Sequence, residues 1–303
     1  MSALSRFLDS DFVYSFRRSP VAVVSAVVVL IIVLCAVFAP LVSPHDPFDL
    51  ASISLLDSLK PPVFLPDGDW SFPLGSDDQG RDVFSSILYG TRISMIVAAL
   101  AIGFSLVVGI TVGLVAGYAG GAVDAVLMRI VDVQLTFPAI LIALLVDGVV
   151  RAVLPPAAQD ALQLDVIVFA IGISRWPQFA RTVRGSTMIE RGRDYVMAAR
   201  VIGISSPRIM VSHILPNVLG PVLVIATLNL GLAVLDEATL SFLGVGLPPT
   251  QPSLGTLIRF GNNFLFSGEW WITIFPGLTL AAIVLSINLL GDWLRDALNP
   301  RLR

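Results

Sequence analysis

The chain has 303 residues, 55% of them hydrophobic and only 14% charged, and its mean hydropathy is +0.86. Soluble domains carry about 25% charged residues, so this composition excludes an ordinary water-soluble fold and points to an all-α polytopic membrane protein. A net charge of −3 implies no nucleic-acid partner. One cysteine, Cys35, makes no internal disulfide, and with two histidines it builds no metal cluster.

Taken in order, residues 1–20 form a short tail with Arg6, Arg17 and Arg18, followed by a first apolar span over 21–40. Signal-peptide apolar regions are about 7–15 residues long. This run is longer, and Leu34 before Cys35 is too large for a lipoprotein cleavage site, so an uncleaved helix is expected. Residues 41–91 are polar and Pro-rich, a segment outside the cytoplasm. Asp77, Asp78 and Asp82 lack EF-hand spacing. Asp77 or Asp78 is expected to cap a short helix with Arg81 and Asp82 in its first turns. Lys60 is the single lysine and is followed by Pro61, so no Walker A loop is present and the chain carries no P-loop ATPase.

A second span over 93–117 contains Gly103, Gly109, Gly113 and Gly117, a spacing that lets helices approach closely in lipid. The third, 125–149, holds Asp132, Thr136 and Pro138. Asp132 either lines a pathway or pairs with Arg129, and Pro138 is expected to kink the helix. Leu154-Pro155-Pro156 separates it from a fourth span over 164–180.

Residues 184–217 are the most polar run. Seven arginines fall between Arg175 and Arg208. Two short helices are expected, the first capped by Asp194 and ended by Gly203 at the left-handed C′ position, the second started by Ser206-Pro207 and ended or kinked by Pro216. Tyr195, Ala199 and Ile202 fall on one face, and Ala198 and Ala199 permit close approach of another surface. The segment either docks onto a partner or lies on the membrane surface.

The fifth span, 218–235, ends at Asp236 and Glu237, which either cap a broken helix with Leu-Ser-Phe-Leu-Gly as a second piece or face a transport path. Residues 247–269 are polar. Trp270 and Trp271 suggest an interfacial aromatic belt, and the sixth span covers 272–290. Six spans give a five-helix core over 92–293 and a tail over 294–303. They place 14 Lys and Arg on the side of the termini and 5 on the other, so both termini are expected in the cytoplasm.

Four stretches carry a resemblance. FPLGSDDQGRDVFSSILYGTRIS precedes the second span, DYVMAARVIGISSPRIMVSHILPN fills the loop, and EATLSFLGVG and NLLGDWLRDALNPRLR follow. They resemble the permease subunits of binding-protein-dependent ABC importers of the dipeptide/oligopeptide type. Met197 stands where the general loop motif has Glu and His213 where it has Ile. Ser86 replaces the usual Arg and Asn299 the usual Asp. The resemblance implies an ABC importer type I permease fold with six transmembrane helices, multi-pass in the bacterial inner membrane. It implies an ATPase-coupling loop carried by Asp194, Tyr195, Ala198, Ala199, Arg200, Gly203, His213 and Pro216. Asp132, Thr136, Asp236 and Glu237 are the candidates for the translocation path. The implied partners are a homologous second permease chain, two ABC ATPase subunits, a periplasmic or lipid-anchored substrate-binding protein, and membrane lipid. ATP and Mg²⁺ would sit on the ATPases, with no cofactor and no enzymatic chemistry on this chain. Di- or oligopeptides are the expected cargo, with glutathione, nickel chelates or oligosaccharides as alternatives. A stand-alone secondary transporter is the rival reading.

Overall fold

In lipid an unpaired backbone group costs several kcal/mol, so long apolar runs satisfy their N–H and C=O groups internally as helices. The computed structural model describes residues 11–49, 53–247 and 251–298, and within these every regular element is helical. Arg6, Pro248, Pro249, Thr250, Asn299, Arg301 and Arg303 lie outside the described residues.

Helix α1 (Asp11–Arg18) leads into α2 (Pro20–Val37), where the Ser19 hydroxyl accepts the Ala22 N–H at 3.3 Å and Pro20 opens the first turn. The connection over 38–82, the outer segment, then folds back through a short helix (Ala39–Val42), a 3-10 turn (Leu55–Asp57) and further turns. His45 stacks on Phe72 with ring centroids 5.3 Å apart, and the Trp271 indole donates to the Ser76 carbonyl at 3.1 Å. Helix α3 (Val83–Ala119) starts at Asp82, whose carboxylate accepts the Ser85 N–H at 2.8 Å. The expected cap at Asp77 or Asp78 is therefore wrong. Asp77 instead closes the preceding turn, accepting the Gln79 and Arg81 N–H groups at 2.9 Å each, and pairs with buried Arg81 at 2.7 Å. That turn runs through Gly80 at φ +81°, which delays the helix start.

The expected third span is not a kinked helix. It is two helices, α4 (Gly121–Leu135) and α5 (Ala139–Val153), set at 90° to one another. Pro138 has no N–H to continue the ladder, and the chain leaves helix at 136–138. Helix α6 (Pro156–Arg191) is 36 residues long. It packs along α3 in parallel. A Cβ on Gly109 would stand 2.4 Å from Phe179 Cβ, one on Gly113 2.6 Å from Val183 Cβ, and one on Gly117 2.7 Å from Thr187 Cβ. Gly103, expected in the same stripe, meets nothing within 4 Å. Parallel packing requires the α4–α5 pair to return the chain from one end of the bundle to the other.

After α6 come α7 (Asp194–Val201), α8 (Ser206–Ile209), a π turn (Met210–Ile214) and α9 (Leu215–Phe242). Helix α9 runs unbroken through Asp236 and Glu237, so the expected capped break there does not exist. Within 247–269, read from sequence as polar connection, lies α10 (Leu254–Asn262), N-capped by Ser253 and buried at Leu254, Gly255, Thr256 and Leu257. Helix α11 (Trp271–Ala297) returns, and its Trp293 meets Phe16 with ring centroids 5.0 Å apart. Trp271 is buried beneath the outer segment and so is not a free belt residue.

Among the described residues four helices are long and apolar enough to cross a membrane: α2, α3, the 206–242 helix and α11. The bent α4–α5 pair makes a fifth passage if it is one span. The remaining expected span, 164–180, lies inside α6, which has the length but carries Asp165 and Arg175.

Candidate coupling loop and buried polar layer

The loop is shorter than the sequence suggested because α6 extends to Arg191. Its core is α7. Arg193 occupies the cap position with no side-chain bond, and Asp194 is the first helical residue, where its charge favours the helix N-terminus. Val196 and Ala199, three residues apart, are buried, and Ile209 and Ile214 are buried beyond the turn. The expected Tyr195–Ala199–Ile202 face is not one face. Ala199 points inward while Ile202 is 74% exposed.

At the end of α7 the Gly203 N–H bonds to the Arg200 carbonyl and the Ile204 N–H to the Ala199 carbonyl, both at 3.0 Å. With Gly203 at φ +81° this is a Schellman closure, as its position in the sequence predicts. The closure presents Met197, Val201 and Ile202 outward, with Val201 86% exposed.

Side chains tie α7 to the bundle. The Tyr195 hydroxyl donates to Glu190 at 2.6 Å and accepts from the Asn217 amide at 3.1 Å. Burial, then the bond to Glu190, pushes the Tyr195 phenol above its ordinary pKa. The Arg200 guanidinium lies over the Tyr118 ring, 4.8 Å from its centroid, and donates to the Tyr118 oxygen at 3.3 Å. Arg191 donates to the Tyr118 carbonyl at 2.9 Å, capping α3.

The second short helix also differs from expectation. Ser205 holds its cap position and Pro207 follows in the first turn, one residue earlier in register than Ser206 as cap. Pro216 neither ends nor kinks the chain out of helix. The Leu215 N–H bonds to the Met210 carbonyl, an i→i−5 register that takes up the ladder just before Pro216. His213 sits in that π turn, and its carbonyl accepts the Asn217 amide at 2.8 Å.

Three arginines counted from sequence on the loop side form cross-helix ion pairs, the Arg175 pair within the bundle and the Arg181 pair at its surface. Arg175 on α6 donates through Nε and Nη2 to Asp236 on α9 at 2.8 and 2.6 Å, and through Nη1 to Asn229 at 3.3 Å. Asp132 pairs with Arg181 at 2.6 Å, not with Arg129. Arg184 holds Asp124 through two bonds, at 2.5 and 2.7 Å. Glu237 is fully buried and accepts Ser94 and Ser241 hydroxyls, each at 2.6 Å. Ser94 in turn accepts the Leu254 N–H at 3.3 Å, so α3, α9 and α10 meet at one polar knot.

With this geometry in hand, the relatives are informative. Residues 109–303 match the family of binding-protein-dependent transport system inner membrane components, and residues 9–62 match the N-terminal transmembrane domain of oligopeptide transport permease C. The chain belongs to this permease family. It is 40% identical over 293 residues to the dipeptide transport system permease protein DppC of Escherichia coli, covering 97% of this chain and 93% of the relative. It is 36% identical to the protein of that name from Haemophilus influenzae, covering 97% and 95%, and 38% identical to a di/tripeptide transport system permease from Pseudomonas aeruginosa, covering 97% and 92%. An inward-facing structure of the methionine ABC transporter MetNI matches at a TM-score of 0.56 with 18% identity, covering 71% of this chain and 96% of that one, which extends the likeness to the fold.

The permease's four path candidates do not converge on one site. Asp132 and Thr136 lie where α4 gives way to α5. Thr136 is the last-turn cap there, its hydroxyl donating to the Val133 carbonyl at 2.6 Å. Asp236 and Glu237 lie on α9 and face different partners. The residue missed by sequence reasoning is Arg175. Its signal was an arginine inside an apolar span with an aspartate in another, the usual mark of an intramembrane pair.

Proposed function

We propose that this permease is one transmembrane subunit of an ATP-driven importer for di- or oligopeptides, and that α7 is the element that docks onto an ATPase subunit. The observation that carries this is the Schellman-closed α7, which buries Val196 and Ala199 against the bundle and leaves Met197, Val201 and Ile202 bare. A surface helix without a partner ordinarily turns its apolar side inward. Here Met197, Val201 and Ile202 also lie outward, beside exposed Asp194 and Arg200, and form an apolar patch that a partner would cover. The peptide cargo rests on the names of the relatives that align along nearly the whole chain.

In this reading a homologous second permease completes the path, two ATPase chains bind the α7 side and hydrolyse ATP with Mg²⁺, and a binding protein delivers cargo to the opposite end. ATP-driven closure of the ATPases moves α7. Because α6 and α9 flank the loop and are tied by Arg175–Asp236, they transmit that motion together. Asp132, Thr136, Asp236 and Glu237 then act on the path through the helices they join. The termini and the α7 loop face the cytoplasm.

The test is affinity purification of the tagged chain from its own membrane, followed by ATPase and peptide-uptake assays. Co-purification of ATPases and a second permease, with activity stimulated by a binding protein, is expected. A lone chain that moves solute in liposomes without ATP would instead establish a secondary transporter.

A further inference from the structure

At the end of the bundle opposite α7, the last turns of α5, the first turns of α6, the 244–247 turn and α10 enclose a cleft of about 220 Å³. Its charged lining is Asp147, Arg151 and Arg259. Asp147 is already paired, its carboxylate accepting Arg151 Nε at 2.6 Å. Arg259 has no carboxylate within ion-pair distance among the described residues. Two guanidiniums against one carboxylate leave the cleft with one net positive charge.

The position of Arg259 is built. Its guanidinium lies against Gly244, where an added Cβ would stand 3.0 Å from Nη1, and Gly244 has φ +90°. A side chain at 244 would therefore both strain the turn and displace the guanidinium. Two glutamines complete the wall. Gln159 Nε2 donates to the Leu154 carbonyl at 2.6 Å and the Arg151 carbonyl at 3.0 Å, and Gln163 Nε2 donates to the Gly246 carbonyl. Each amide nitrogen is committed to backbone, which leaves each side-chain oxygen as an acceptor for an incoming N–H.

We propose that this cleft receives the C-terminal carboxylate of the peptide as it enters the permease, with Arg259 as its principal anchor and Arg151 as its second. Guanidinium forks match carboxylate geometry and hold it through paired bonds. The glutamine oxygens accept from the peptide backbone next to it. Sites that enclose a whole small ligand span roughly 300–1,000 Å³, so a cleft of this size takes one end of a peptide and leaves the rest free to pass inward. The inference rests on the peptide-importer reading above.

The experiment is uptake by the full transporter in proteoliposomes, with its binding protein saturated by a dipeptide or by the same dipeptide carrying a C-terminal amide. Arg259→Gln is compared with Arg259→Lys and wild type, each at matched permease content. Loss of a charge-assisted contact predicts about a tenfold lower rate for the free acid in Arg259→Gln. Partial rescue in Arg259→Lys and little change for the amide are expected with it. Equal loss for acid and amide, or no loss, overturns the assignment. So does a defect that follows the anionic lipid content of the vesicles, because Arg259 would then be holding a lipid headgroup. A wild-type transporter that imports no peptide sinks the importer reading and the cleft with it. Normal wild-type import with an unaffected Arg259→Gln variant removes the cleft alone.

Discussion

At the scale of single residues, two positions separate coupling from folding. Gly203 holds φ +81° with nothing within 4 Å of where a Cβ would lie, so substitution there acts through backbone conformation and not through a clash. A non-glycine residue costs about 1 kcal/mol at such a site, enough to loosen the end of α7 without unfolding the bundle. Gly203→Asp is expected to leave membrane abundance at wild-type level while abolishing ATP-driven uptake. Normal uptake in that variant would dissociate α7 from coupling. Asp236 is the converse case. Removing its charge leaves the Arg175 guanidinium buried and uncompensated, a loss of about 3–5 kcal/mol where one member of a buried pair is deleted. Asp236→Asn is therefore expected to lower the folded yield, and the exchange Arg175→Asp with Asp236→Arg to recover part of it. A single variant that accumulates normally but imports a different cargo would show that the pair lines the path. For Glu237, Gln keeps one acceptor for a serine hydroxyl and adds donors, whereas Leu strands both hydroxyls. Thermal stability in detergent is expected to fall far more for Glu237→Leu than for Glu237→Gln.

Among the elements, α3 and α6 are the spine, and their contact was partly written in the sequence. Gly109, Gly113 and Gly117 recur at spacing four, which marks a close-packed seam in lipid. The identity of the partner was not legible, because nothing in a glycine names what it touches. Gly113 lies where a Cβ would come 2.6 Å from both the Ala180 carbonyl oxygen and Val183 Cβ, so Gly113→Leu forces the two backbones apart. That variant is expected to be lost from the membrane, whereas Gly103→Leu, which meets open space, is tolerated. Immunoblots of both variants decide the point. The same spine explains why the arginine run was misassigned. Arg175, inside the expected 164–180 span, and Arg181 and Arg184 beyond it all count on the loop's side, because charge within a helix disfavours a span. Their aspartates lie on other helices, far away in sequence, and only the fold brings each pair together. Pro138 and Pro216 show the complementary limit. Proline marks a defect in the ladder, but whether the chain breaks, as at 136–138, or shifts register, as at Met210–Ile214, depends on what its neighbours pack against.

For the whole molecule, the argument turns on direction through the bundle. Phe16 touches Trp293, and Arg191 and Arg200 reach Tyr118, so both described ends of the chain share one end of the bundle with α7. His45 beside Ser85, and Trp271 beneath Ser76, fix the outer segment at the other. In the orientation proposed above, the arginine-rich end is the cytoplasmic one, which is the arrangement the positive-inside rule favours. The composition supplied that asymmetry, and its physical origin is the energetic cost of carrying cations across the bilayer. Cys35 is the single native cysteine, which makes the orientation directly measurable. In a Cys35→Ala background, Ile202→Cys is expected to react with a membrane-impermeant maleimide only after the cells are permeabilised. Phe64→Cys, 60% exposed in the outer segment, is expected to react in intact cells. Ile202 is 74% exposed, so the bare chain presents it freely, and added ATPase subunits that cover α7 should slow its labelling in open membranes. Labelling of Ile202→Cys from outside would invert the molecule and place α7 beyond the reach of any cytoplasmic ATPase.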